Sequence, residues 1–171
     1  MGTNFFGFTV VNAADFDKEV RTLVLDNETE FIDRVMSGVT HLGHGVVDFS
    51  IASSLPDEEA RKDAQKSLFV GGISAITLKT MIGKKRPPGP IEYQPFTIES
   101  SYHSMPSGHT TTAFALATTI ANHYPKYKKL SYSFATLVGI SRLYEDVHWA
   151  SDVISGAGLG FGSAKFVEYK W

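Results

Sequence analysis

The apolar positions of this chain recur at helical spacing, and the alternation expected of a half-buried strand is nearly absent. From Asn12 to about Leu25, the residues Phe16, Val20, Leu23 and Val24 share one side of an amphipathic helix. Asn27 is placed to cap a second helix that carries Phe31, Ile32, Val35, Met36 and Val39 towards Val47. Ser54-Leu55-Pro56-Asp57 reads as the start of a third, with a hydroxyl cap, an early proline and an acid at the third position. Asp57, Glu58 and Glu59 put negative charge where the helix dipole favours it, and this helix is expected to reach about Ile82. The period then stops. Gly83 to Pro106 contains five prolines and reads as one long loop, a feature that inside a compact domain usually serves function. A fourth helix is expected from near Ser107 to just before Pro125, a fifth from about Tyr127 to Leu143, and a sixth from about His148 to Tyr169. In the last of these, Gly156, Gly160 and Ala164 fall at intervals of four, a small-residue stripe that lets helices approach closely. The glycines there lack the spacing and the preceding strand of a phosphate-cradling loop. The expected fold is all-α, a compact bundle of about six helices in a single domain spanning 1–171.

Composition narrows the function classes. The 171 residues can bury a core without covalent staples. With 16 basic and 18 acidic side chains the balance is not that of a nucleic-acid binder. The absence of cysteine excludes a disulfide scaffold, a thiolate zinc site and a catalytic thiol. A membrane-spanning helix needs about 20 mostly apolar residues. The longest charge-free window, between Glu99 and Lys126, is instead rich in Ser and Thr and holds three histidines. Nor does Met1-Gly-Thr-Asn-Phe-Phe-Gly-Phe carry the basic start and long apolar core of a signal peptide. A soluble or peripheral domain is expected, with contact to a membrane surface left open.

Three clusters carry candidate chemistry. Lys79 is followed seven residues later by Arg86-Pro87; Pro106-Ser107-Gly108-His109 opens the fourth helix; Ser141-Arg142, His148 and Asp152 straddle the junction of the fifth and sixth. Lys79, Arg86 and Arg142 concentrate positive charge in a chain of net charge −2. The amides of Ser107 and Gly108 lie at a helix N-terminus, where unpaired N–H groups and the dipole attract an anion. His148 and Asp152, four apart, share a helix face, so the carboxylate can hold the imidazole in one tautomer and leave its other nitrogen free. His109 supplies a second titrating group. Such parts suit a phosphoryl group: cations and amides hold the non-bridging oxygens, one imidazole attacks phosphorus, and another protonates the leaving oxygen.

The three motifs, with their order and internal spacing, resemble the signature of the type 2 phosphatidic acid phosphatase (PAP2) superfamily. That superfamily includes lipid phosphate phosphatases, bacterial acid phosphatases and vanadium haloperoxidases. The likeness runs from about Phe31, through His41-Leu42-Gly43, to about Tyr169, and leaves roughly the first 26 residues outside. The resemblance implies that His148 is the nucleophile forming a phosphohistidine, that Asp152 orients it, and that His109 is the acid and later the base. It implies that Lys79, Arg86, Ser107, Gly108 and Arg142 bind the phosphate oxygens at one end of the bundle, with no metal and no other cofactor. The implied partner is a phosphate ester, either a lipid phosphate such as phosphatidate or a small soluble ester, and the implied location is the cell envelope. Two alternatives stand beside a phosphatase. A vanadium-dependent haloperoxidase would use the same oxyanion site, although such enzymes are generally far longer. A non-catalytic phosphate- or lipid-binding module would bind without turnover.

Other residues have quieter readings. Met105 stands where aromatics are common in relatives, and Glu145-Asp146 brings acid close to His148, either raising its pKa or remaining solvated. His41 and His44 read as helix-packing residues rather than a metal pair, and His123 as a helix end. His103 borders the site, as a substrate contact or as a loop residue, while Tyr93, Phe96 and Tyr102 either line the pocket mouth, the reading favoured, or anchor the loop.

Overall fold

In a computed structural model, which describes residues 12–170, the chain is all-helical. Seven α-helices follow one another: α1 (Ala13–Asp26), α2 (Glu30–Thr40), α3 (Gly45–Ser53), α4 (Glu58–Ile82), α5 (Gly108–His123), α6 (Lys128–Tyr144) and α7 (Ala150–Lys170). Short 3₁₀ turns occupy His41–Gly43, Ser100–Tyr102 and Pro125–Tyr127. Helix α5 is the central rod, packed against α4, α6 and α7. Its buried face is made of Ala113, Ala115, Leu116, Ala117 and Ala121 together with Thr110, Thr111, Thr118 and Thr119. Small side chains bring the axes close. A Cβ on Gly156 would sit 2.7 Å from the Ser107 carbonyl oxygen, and one on Gly160 would collide with that of Thr111. The small-residue stripe of α7 therefore grips α5 along its length.

The helix ends show where local signals were overruled. Asn12 caps α1, its side chain accepting from the Ala14 amide at 3.1 Å. The expected second helix is two helices. Thr29 rather than Asn27 caps α2, because the Asn27 side chain turns back to the Leu23 carbonyl at 2.8 Å. The break at His41–Gly43 has a packing cause: a Cβ on Gly43 would strike Val138 of α6 and lie 3.4 Å from His109. The chain passes too close to α5 and α6 there for a continuous α-helix. Beyond it, Ser54 ends α3, and α4 starts at Glu58 with Asp57 as its cap, three residues later than a Ser54 cap would place it.

Helix α4 stops at Gly83, whose φ of 58° lies in the left-handed region and whose missing Cβ makes room for the Gln94 backbone. The proline-rich segment 83–106 then folds back on itself. Gln94 N–H donates to Gly83 at 2.7 Å, Lys85 to Glu92 at 2.9 Å, Arg86 to Ser101 at 2.8 Å and Ser104 to Lys84 at 3.0 Å. Tyr102 fastens this segment, donating its hydroxyl to Glu92 at 3.2 Å under the Lys85 ammonium, whereas Tyr93 and Phe96 are exposed. Among the described residues no helix is long and apolar enough to cross a membrane.

Candidate active site

Each motif sits at a helix end, and the ends converge. Lys79 is in the last turn of α4, Ser107 caps α5, Arg142 lies in the last turn of α6, and α7 starts at Ala150. His148 therefore lies just ahead of α7 rather than on its first turn. Asp152, in that first turn, reaches back to it: Oδ2 accepts from the Trp149 amide at 2.9 Å and faces His148 Nδ1 at 3.3 Å. This is half of a capping box, so the bond that starts the helix also aligns the imidazole. The Asp152 carbonyl accepts the Ser107 amide at 2.9 Å, which locks the start of α7 to that of α5.

The tautomer of His148 follows from its two neighbours. Arg86 can only donate, and its Nη1 lies 3.2 Å from Nε2, so Nε2 carries the lone pair and Nδ1 carries the proton offered to Asp152. Arg86 is itself braced by the carbonyls of Val147 at 2.8 Å and His103 at 3.0 Å. The same His103 carbonyl accepts from Lys79 Nζ at 2.7 Å. His103 thus serves the site through its backbone, while its ring is taken up by the Thr97 carbonyl at 2.9 Å. Arg142 is held from α2 by the Thr40 hydroxyl. Gly108 begins α5, and helix starts leave N–H groups without intrahelical acceptors. The Ser107 side chain is buried and accepts from the Thr110 hydroxyl at 3.0 Å.

Electrostatics mark this cluster as strained toward losing positive charge. Burial, then the neighbouring Arg86, lowers Lys79 to about 7. Burial, followed by Arg142, His44, Lys79 and Arg86, lowers His109 to about 4. Burial lowers His148 to about 3 against the opposing pull of Asp152. Burial alone would raise Asp152, but the bond with His148, the charge of Lys84 and the Ser104 hydroxyl together hold it below its usual value. A bound anion would offset the neighbouring positive charge that helps to depress Lys79, His109 and His148. Among the described residues no three His, Asp or Glu side chains stand together as a metal would require.

The eight residues named from the sequence thus come together, Arg86 on the 83–106 segment and the others at adjoining helix ends, and other groups join them unannounced. His44 starts α3 and packs edge-on against His109, with ring centroids 5.9 Å apart, as a packing histidine should. His123 ends α5 and pairs with Asp63 at 2.9 Å. Of the acidic pair before His148, Glu145 is exposed, and Asp146, partly exposed, forms a two-pronged pair with Arg21 of α1 at 2.7 Å. Ser104, Lys84 and Asp17 were missed. Lys84 and Ser104 each contact Asp152, and Asp17 contacts Lys84. One signal could have found Asp17: it falls on the α1 face that Val20 and Val24 share, an odd place for a carboxylate.

Comparison with known proteins gives a consistent result. Residues 66–170 match the model of the PAP2 superfamily. A lipid A 1-phosphatase of Rhizobium johnstonii is 37% identical over 102 residues, which are 57% of this chain and 41% of that protein. Phosphatidylglycerophosphatase B of Bacillus subtilis is 34% identical over 148 residues, 76% of this chain and 70% of its own. The crystal structure of Aquifex aeolicus LpxE superposes with a TM-score of 0.77 at 23% identity, covering 89% of this chain and 94% of that one. The chain spans less than half the length of the lipid A 1-phosphatase it matches.

Proposed function

This chain belongs to the PAP2 superfamily, and from that premise we propose that it hydrolyses phosphomonoesters through a phosphohistidine on His148. The observation that carries this reading is the fixed tautomer of His148, with Nδ1–H toward Asp152 and the Nε2 lone pair beside Arg86. Nε2 attacks phosphorus, the P–O bond to the leaving group breaks in line, and His109 supplies the proton that the alkoxide needs. Water then attacks the phosphohistidine, His109 takes its proton, and orthophosphate leaves with His148 restored. Lys79, Arg86, Arg142, the Ser107 hydroxyl and the Gly108 amide hold the three equatorial oxygens, a concentration of charge that does the work of a metal ion in other phosphoryl-transfer sites. His109, lowered to about 4 by burial and then by its cationic surroundings, gains basicity when a phosphate dianion offsets those cations, and so can carry the proton the leaving group needs.

The substrate class this reading favours is a lipid phosphate, hydrolysed at the surface of the cell envelope. The relatives above are named for lipid A and for phosphatidylglycerophosphate. Helix α4, which delivers Lys79, also exposes Phe69, Ile73 and Ile76 along one stripe, a surface suited to contact with acyl chains. The test is a substrate panel (phosphatidate, phosphatidylglycerophosphate, a lipid A 1-phosphate and p-nitrophenyl phosphate) assayed with EDTA and with vanadate. Activity is expected to survive EDTA, to be inhibited by vanadate, to favour a lipid ester in mixed micelles, and to vanish in His148→Ala with loss of acid-labile phosphohistidine. Loss of activity to chelator, or full activity in His148→Ala, refutes the mechanism. Halide oxidation on adding vanadate and peroxide would replace it, and binding without turnover would make the chain a carrier.

A further inference from the structure

Beneath the site, two charged residues that the reaction just described does not use, Lys84 and Asp17, form an ion cluster with Asp152. Lys84, one residue past the glycine that ends α4, is 1% exposed, and its Nζ donates to three acceptors. These are Asp17 Oδ2 at 2.7 Å, Ser151 Oγ at 2.7 Å and Asp152 Oδ1 at 3.0 Å. It also lies 5.8 Å from the ring centroid of Trp149, which is itself buried. Asp17, 2% exposed on α1, spends its other oxygen on the Ser151 amide at 2.7 Å and accepts the Ser151 hydroxyl as well. A carboxylate from a distant helix thereby caps the start of α7, beside the capping bond from Asp152.

Two physical points separate this cluster from an incidental ion pair. A buried lysine needs compensating charge, and here two carboxylates share it, so the group Lys84–Asp17–Asp152 carries one net negative charge with every ammonium hydrogen engaged. Asp152 also has a full set of donors: His148, Trp149 and Ser104 on Oδ2, Lys84 on Oδ1. Without Lys84, Oδ1 is left bare in a dry environment, and the carboxylate either rotates or takes up a proton. Either event removes the acceptor that keeps the proton on His148 Nδ1.

We propose that Lys84 and Asp17 are positioning residues of the hydrolytic site, acting on the tautomer of His148 through Asp152. Asp17 lies outside the 66–170 family match, so α1 completes the site from beyond the matched core. The proposal rests on His148 being the nucleophile, and its test keeps the two apart.

Lys84→Met, Asp17→Asn and the milder Ser151→Ala are compared with wild type by steady-state kinetics per folded molecule, and by ¹⁵N spectra of the histidine ring. For Lys84→Met and Asp17→Asn the expected result is a fall in kcat of at least about tenfold with KM within about twofold, together with loss of the Nδ1-protonated signature of His148. Ser151→Ala is expected to show the same effects at smaller size. A kcat per folded molecule within twofold of wild type in both Lys84→Met and Asp17→Asn, or an unchanged ring signature, overturns the proposal. If Lys84→Met does not fold, Asp17→Asn and Ser151→Ala decide by the same two readouts. Phosphohistidine trapping in wild type reports separately on the nucleophile. Trapped label with an active Lys84→Met defeats only the positioning role, whereas an active, unlabelled His148→Ala defeats both.

Discussion

Two carboxylates lie equally deep in this bundle and behave in opposite ways. Asp152 is fully buried at the start of α7, and Asp48 on α3 is 2% exposed. Asp152 is surrounded by donors from three parts of the chain and stays ionised, held below its usual pKa. Asp48 borders an apolar groove with Leu116, Phe134 and Val138, and its Oδ2 has no hydrogen-bond partner among the described residues. Burial raises it to about 7, with Thr112 offsetting only part of the penalty. Depth is the same in both places, so depth does not decide charge. Partners do, and the partners are gathered where four helix ends meet. The bundle thus spends its buried donors at one end and leaves a strained acid in its flank.

The contrast is most sharply broken by removing the charge of Asp152. Asp152→Asn is expected to lose on the order of 10⁴-fold in kcat with KM little changed, because an amide no longer holds the nucleophilic tautomer. Steady-state kinetics check this, with circular dichroism confirming that the variant is folded. Retention of more than about a tenth of the activity would place Asp152 beside Asp48 as a buried bystander.

The same change on the other carboxylate should be favourable. In the unfolded chain Asp48 ionises near its ordinary value, whereas in the folded chain it waits until about pH 7. The unfolded state therefore sheds its proton first, and Asp48 costs stability increasingly as pH rises from about 4 to about 7. Asp48→Asn is expected to be more stable than wild type at pH 8 by on the order of 2–4 kcal/mol, with the advantage shrinking toward zero near pH 4 and kcat within twofold. Paired urea melts across that range measure it; a variant destabilised at pH 8 would mean that the buried acid has a partner after all.

A smaller effect separates the reversible strain of the site from the permanent strain of Asp48. An oxyanion beside Lys79, His109 and Arg142 raises the depressed pKa values, and Lys79, at about 7, is the group nearest to taking up a proton. Phosphate binding at pH 7.5 is thus expected to take up a fraction of a proton. Calorimetry in buffers of different ionisation enthalpy reads this directly, and heat that does not depend on the buffer would contradict it.

Much of the fold was legible because helix periodicity and motif spacing are local properties. The stripe Gly156, Gly160, Ala164 announced a close helix approach, whose partner the structure identifies as α5, and the three separated motifs named eight residues that lie together at one end of the bundle. Helix ends were less legible. The second helix breaks at Gly43 because of Val138 and His109, residues far along the chain, and Asp57 displaces Ser54 as the cap of α4.

By itself, then, the sequence determined which residues to propose for a phosphate site, most of them at helix ends. A residue's period and its neighbours within a turn or two are enough for that. Tertiary structure alone decided how they are aimed. The lone pair of His148 is set by Arg86, 62 positions away, and the start of α7 is capped by Asp17 across 134 positions. Bonds of that reach have no period to betray them. They exist only once burial has made an unpaired charge too costly to leave alone.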